Sequence, residues 1–111
     1  MDSANVLTFT DANFTSEVEH SDKPVLVDFW AEWCQPCRML GPAIAKVADE
    51  FAGRAKVGKV NIESDRSAAT RLNVQSIPAV FLFHHGRVVK QWIGLTKAVE
   101  FTRAINEVVA K

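Results

Sequence analysis

The segment Val25-Leu26-Val27-Asp28-Phe29-Trp30-Ala31-Glu32-Trp33-Cys34-Gln35-Pro36-Cys37 decides how this chain folds. Residues 25–31 form an almost unbroken apolar run whose one charge is Asp28. Such a run suits a strand covered on both faces, as in a central parallel pair. Pro36 fits the first turn of a helix, where its missing N–H costs nothing. Leu40, Ile44, Val47, Ala48 and Phe51 then share one stripe, so 34–51 reads as a helix. Pro42 lies inside it and predicts a kink. A buried strand therefore runs directly into a helix whose first turn carries two thiols.

Working outward, 5–9 is a short strand candidate. Thr10 can cap a helix over 11–19, with Phe14 and Val18 on its inner face. A turn at 21–24 leads into the central run. Downstream, Gly53 closes the long helix, 56–62 is a third strand and 65–72 a short helix. Residues 78–84 form a strand, His85-Gly86 a tight turn, and 87–93 the hairpin partner. Gly94 breaks that strand. Thr96 caps a last helix running to about Ala110, with Val99, Ala104, Ile105 and Val108 inward. The order β-α-β-α-β-α-β-β-α implies right-handed crossovers and a largely parallel sheet that ends in an antiparallel hairpin. The expected class is α/β, a three-layer sandwich with helical cover available to every strand.

The whole chain has 111 residues, with 13 Lys plus Arg balanced by 13 Asp plus Glu. That length makes one domain over 1–111, with a core large enough to hold without disulfide staples. The single prolines at 24, 36, 42 and 78 mark no linker, and no repeat period is present. Zero net charge argues against nucleic acid or an anionic membrane as main partner. No apolar run reaches the ~18 residues of a membrane span. Met1 to Thr10 carries Asp2 and no apolar stretch, so no secretory signal is expected. Two cysteines are too few for a disulfide-rich secreted scaffold.

Cys34 and Cys37 stand at i and i+3. On a helix their Cα atoms lie ~5 Å apart, within disulfide range. A thiolate at Cys34 would sit among unpaired N–H groups at the positive end of the helix dipole. That lowers the thiol pKa and makes a nucleophile. Cys37, one turn further in, is placed to attack a mixed disulfide formed at Cys34. Zinc is an alternative, but a CxxC knuckle needs a second ligand pair. Only His84-His85, adjacent in a hairpin turn, and His20 are on offer. A static disulfide closing so short a loop constrains the unfolded chain little. Two ordinary buried thiols are the third alternative.

Asp28 among Val27, Phe29 and Trp30 is expensive to ionise, which raises its pKa. The alternative is a carboxylate bent to solvent or capping a loop. Lys59, on the neighbouring strand, would be its counter-charge; the alternative is a strand-edge lysine. Pro78 reads equally as a plain strand-start proline. Of the three tryptophans, Trp30 is expected in the core, Trp33 exposed beside Cys34, and Trp92 packed in the hairpin.

Trp33-Cys34-Gln35-Pro36-Cys37 and the preceding V-D-F-W-A-E-W carry a family resemblance, joined by Pro42, Lys59 in K-V-N, Ile77-Pro78 and Gly94. Over nearly its whole length the chain resembles the thioredoxin family. The resemblance implies a thioredoxin fold, with a mixed central sheet of about five strands and about four flanking helices. It implies a thiol–disulfide oxidoreductase that reduces disulfides in partner proteins, with Cys34 as nucleophile and Cys37 resolving. It implies Asp28 as proton acceptor for Cys37. It also implies a cis Ile77–Pro78 bond, leaving the Ile77 backbone free to pair with an extended substrate. Trp33, Ile77, Pro78, Gly94 and Leu95 would form the binding groove, although Leu95 reads equally as core.

The family's usual motif has glycine at position 35, so Gln35 is a departure. Ser76 stands where Gly is frequent, Ala79 where Thr is common, and Leu95 where a small residue is usual. These changes bear on potential and substrate preference, with Gln35 and Pro36 tuning the couple, and not on reaction class. Oxidants and isomerases of this fold carry His before the second cysteine; Pro36 therefore reads as a reductant. The implied electron source is an NADPH-dependent thioredoxin reductase. With no Gly-rich phosphate loop, the chain is expected to bind no nucleotide and no other cofactor. A cytoplasmic monomer without metal, nucleic acid or membrane is expected. The competing function is a binding module or accessory subunit on the same surface, which has no need of a reactive pair.

Overall fold

The computed structural model describes residues 3–109 and builds them around the apolar run that starts at Val25. In chain order come β1 (Val6–Thr8), a π-helical turn (Thr15–Glu19), β2 (Val25–Trp30), α1 (Gln35–Glu50) and β3 (Lys56–Asn61). Then follow α2 (Ser67–Arg71), β4 (Ala79–His84), β5 (Arg87–Ile93) and α3 (Ala98–Val109). The strands form one sheet in the order β1-β3-β2-β4-β5.

β2 is central, as its apolar run predicts, but its neighbours differ in direction. β3 pairs in parallel with β1 and β2, whereas β4 is antiparallel to β2 and to β5. The sheet is mixed, as the family resemblance implies; the largely parallel one read from element order alone is corrected at β4, which runs antiparallel to β2. α2 has 5 residues, ~7.5 Å of helix, shorter than the ~20 Å of a strand of 6 residues. The chain enters β4 at the end of the sheet where β2 and β3 finish.

Side chains alternate across β2. Leu26 faces one layer, where it meets Leu40 and Ile44 of α1, Phe51 at its C-cap, and Phe101 and Ile105 of α3. Val25, Val27 and Phe29 face the other, against Phe14, Val18 and Ala68. The parity places Asp28 and Trp30 on the α1 side. The three layers are as expected, with one exception. β5 is exposed along nearly all its length. Only Trp92 is covered, edge-on to Phe101 with ring centroids 4.9 Å apart.

Local signals explain the remaining differences. Thr10 and Asn13 close a turn on each other: Thr10 Oγ1 accepts the Asn13 N–H at 3.2 Å, and Asn13 Oδ1 accepts the Thr10 N–H at 2.7 Å. The helical segment that follows is a π-helical turn over Thr15–Glu19, with Phe14 and not Thr10 at its N-cap, in place of a regular helix over 11–19. Thr96 does not cap α3; its hydroxyl donates to the Gly94 carbonyl at 3.0 Å, and the helix begins at Ala98. Val99 is 52% exposed, because the inward stripe is Phe101, Ala104 and Ile105. The expected helix end at Ala110 lies outside the described residues. α1 runs through Pro42 from Gln35 to Glu50. The turn at His85-Gly86 has φ of +54° and +80°, the geometry of a two-residue hairpin loop.

Gly58 is required by contact. It pairs with Leu7 across β1 and β3. A Cβ there would lie 2.5 Å from Phe9 Cε2 and 2.9 Å from the Leu7 carbonyl oxygen. Gly58→Ala is expected to lower unfolding free energy by roughly 1–3 kcal/mol, the usual range for overpacking. Urea unfolding checks it, and an unchanged midpoint would mean that Phe9 has room to give way.

Candidate active site

Beyond β2, the Cys34 N–H donates to the Ala31 carbonyl at 3.1 Å, and this turn sets the start of α1. Cys34 is the N-cap residue, with extended backbone at φ −90°, ψ 106°. Its sulfur fills the place that a Ser or Asp oxygen usually takes. The Cys37 N–H donates to Cys34 Sγ at 3.2 Å. Gln35 and Pro36 form the exposed first turn. Cys34 is buried but for a sliver, and Cys37 completely. The two are joined in a disulfide, with Cα atoms 5.3 Å apart. After reduction, negative charge on Cys34 Sγ is favoured by the helix dipole and by that N–H. Cys37 is enclosed and sits behind it.

The groove residues come from distant parts of the chain. The Ile77–Pro78 peptide is cis. The Ile77 carbonyl oxygen lies 3.8 Å from Cys34 Sγ. Gly94, at φ +90°, donates its N–H to the Pro78 carbonyl at 2.8 Å. Trp33 is 65% exposed, and its indole N–H donates to Glu63 Oε2 at 2.7 Å. Leu95 stands 56% exposed after Gly94, not in the core. Trp33, Cys34, Ile77, Pro78 and Gly94 are thus brought together. Three neighbours escaped sequence reasoning. Ile62 packs on the Ala31–Cys34–Cys37 cluster. Ile93 is exposed and pairs with Ala79, next to Pro78. Glu63 holds the Trp33 ring. Ile93 carried a usable signal, an apolar residue directly before Gly94. Glu63 carried none.

Asp28 is 0% exposed, and neither carboxylate oxygen has a hydrogen-bond partner among the described residues. Burial pushes its pKa up to about 7, with the Lys59 charge pulling the other way. Lys59 faces Asp28 in register on β3. It is a charge partner through space. Its ammonium lies 4.3 Å from the centroid of the Trp30 ring. Trp30 itself is half-buried, which corrects the expectation of a core residue. It lines a cleft of about 390 Å³ with Lys59, Asn61, Ser64 and Asp65. The ring stands at the end of β2, with the Ala31–Cys34–Cys37 cluster packed on it and the cleft beside it.

Between its ordinary value of 3.8 and its folded value of about 7, Asp28 keeps a proton that the unfolded chain releases. The folded state binds more protons in that window, so stability falls as pH rises through it. At ~1.4 kcal/mol per pH unit the loss reaches at most roughly 4 kcal/mol above neutrality. Asp28→Asn is expected to flatten this slope and to be the more stable protein at pH 8. Urea midpoints at pH 4, 6 and 8 measure it; the same slope in both proteins would contradict the assignment.

Among the described residues no group of three or more His, Cys, Asp or Glu is placed to hold a metal ion, and no helix is long and apolar enough to cross a membrane. The site supplies a two-electron dithiol–disulfide couple beside the cis Ile77–Pro78 bond. Comparison with known proteins agrees with this chemistry. The Thioredoxin family model matches residues 5–107. A thioredoxin of Haemophilus influenzae is 38% identical over 104 residues, 94% of this chain and 97% of its own. One from Chlorobaculum thiosulfatiphilum is 42% identical over 98 residues, covering 88% and 91%. Thioredoxin C-2 of Corynebacterium nephridii is 41% identical over 105 residues, covering 95% and 97%. With the paired cysteines, the cis proline and the fold all in agreement, the chain belongs to the thioredoxin family and is a thiol–disulfide oxidoreductase of the protein-disulfide reductase type.

Proposed function

We propose that the reducing cycle runs through Cys34, Cys37 and Asp28 in fixed roles. The Cys34 thiolate attacks one sulfur of a disulfide in a partner protein. A Cys34–partner disulfide forms and the other partner sulfur leaves as thiolate. Cys37 gives its proton to the Asp28 carboxylate and attacks Cys34 Sγ. The mixed disulfide breaks, the second partner thiolate leaves, and Cys34–Cys37 disulfide remains. Two electrons have passed to the partner, whose thiolates take up protons.

The observation that carries this reading is the Cys37 N–H bond to Cys34 Sγ at the start of α1. It separates an activated outer sulfur from an enclosed inner one. Asp28 suits the acceptor role because a group that titrates at about 7 is part ionised at neutral pH. Partners with an accessible cystine in an extended segment fit the groove of Trp33, Ile77, Pro78, Gly94 and Leu95, pairing with the Ile77 backbone. The family relationship supports an NADPH-dependent flavoprotein reductase as electron donor. It supports a cytoplasmic carrier working as a monomer, with no cofactor of its own. Lys59 steadies the ionised form of Asp28, and Gln35 and Pro36 set the potential.

Insulin-disulfide reduction with a chemical reductant tests these roles. Cys37→Ser is expected to accumulate a mixed disulfide with the partner, and Cys34→Ser to form none. Asp28→Asn is expected to keep the first attack and slow the resolving step by roughly tenfold or more. A stable adduct in Cys34→Ser, or full turnover in either cysteine variant, would reverse the assignment.

A further inference from the structure

Asp28 and Lys59 face each other across β2 and β3, yet the ammonium does not turn to the carboxylate. Its one close partner among the described residues is the face of Trp30, at 4.3 Å. Trp30 is two residues beyond Asp28 on the same strand and on the same side of the sheet. The ring also packs on the cluster of Ala31, Cys34 and Cys37. On its other side it lines the cleft at the ends of β1, β2 and β3, where Lys59 also lies.

We propose that Trp30 is a positioning residue for the resolving step: its indole face holds the Lys59 ammonium at a fixed place in the cleft wall, from which the charge acts on Asp28 without an ion pair. The proposal rests on Asp28 as the proton acceptor and adds how its charge is set. An ammonium over an indole face is attracted by the ring quadrupole, more strongly when part desolvated. Held there, it acts through a medium that screens little. Released, a lysine head takes its full hydration in the open cleft, and its pull on the carboxylate is screened. A direct ion pair would lock Asp28 ionised. The ring keeps the charge close enough to matter and leaves the carboxylate able to take a proton.

The other groups around Asp28 do not substitute for Lys59. β4 places Val80 opposite it. Cys37 of α1 does not titrate in the disulfide form. Asp65 lines the cleft, but its oxygens accept from the Asp11 N–H at 2.9 Å and the Ser64 hydroxyl at 2.9 Å.

The test is a double-mutant cycle read on the Asp28 carboxyl carbon by NMR across pH, in the oxidised protein. The set is the unmodified chain, Lys59→Gln, Trp30→Leu and the double variant. Lys59→Gln is expected to raise the Asp28 midpoint by roughly 1 pH unit while Trp30 is present. In the Trp30→Leu background the same change is expected to raise it by less than about a third of that. The direct effect of ring loss on Asp28 is common to both arms and cancels; added screening by water does not, and Trp30→Phe, which keeps a ring over the site, separates it from release of the ammonium. Equal shifts in the two backgrounds, or none from Lys59→Gln with Trp30 present, would overturn the proposal. Trp30→Phe keeps a ring of weaker cation affinity and serves if Trp30→Leu does not fold; its expected shift is smaller than with Trp30, and an undiminished one counts against the proposal. The readout needs no turnover. A failure of Asp28 as proton acceptor would appear instead in the Asp28→Asn kinetics and leave this cycle intact.

Discussion

The hydrogen bond from the Cys37 N–H to Cys34 Sγ organises the active site, and it exists because β2 stops where it does. A helix N-terminus leaves donors unpaired, and something must satisfy them. Here the acceptor is a sulfur. One backbone interaction therefore starts α1, holds Cys34 beside the Ile77 carbonyl and favours its ionised form. Moving the cap by one residue would turn the sulfur away from the Ile77 carbonyl and out of the dipole.

The second requirement works against the first. On the proposed cycle, the enclosed Cys37 thiol gives its proton to an equally enclosed group, Asp28, whose two oxygens have no hydrogen bond among the described residues. Burial of a bare carboxylate destabilises the ionised fold, so the protein carries a stability loss at the pH where it works. The surrounding layers offset this. Leu26, Val57 and Leu82 bind the sheet to α1 and α3 on the face that carries Asp28. Phe9, Phe14, Phe29 and Phe81 fill the opposite one. A functional group is tolerated at the centre of the sheet because both faces around it are densely apolar.

Much of this was legible in the residues. The 25–31 run announced the central strand because full burial leaves no polar alternation. The cysteine spacing announced the redox pair because helical geometry sets the distance. Asp28 stood out as the one charge in an apolar strand. Other features are tertiary and left no local trace. The direction of β4 rests on its pairing with β2, between residues as far apart in sequence as Val25 and Phe83. Trp30 ends half-buried at the tip of β2, between the cysteine cluster and a cleft. β5 is an edge strand, exposed but for Trp92. Thr96 looked like a cap because Thr is a good one, but α3 begins at Ala98, one residue too late for it. Glu63 could not be foreseen, since its link to Trp33 joins residues 30 apart in sequence.

The central claim is that a helix N-terminus makes Cys34 the reactive sulfur. Ultraviolet thiolate absorbance of reduced Cys37→Ser protein, followed across pH, tests it with Cys34 as the one remaining thiol. The account predicts a midpoint at least roughly 1 pH unit below the ordinary cysteine value of ~8.5. A midpoint at or above that value would contradict it.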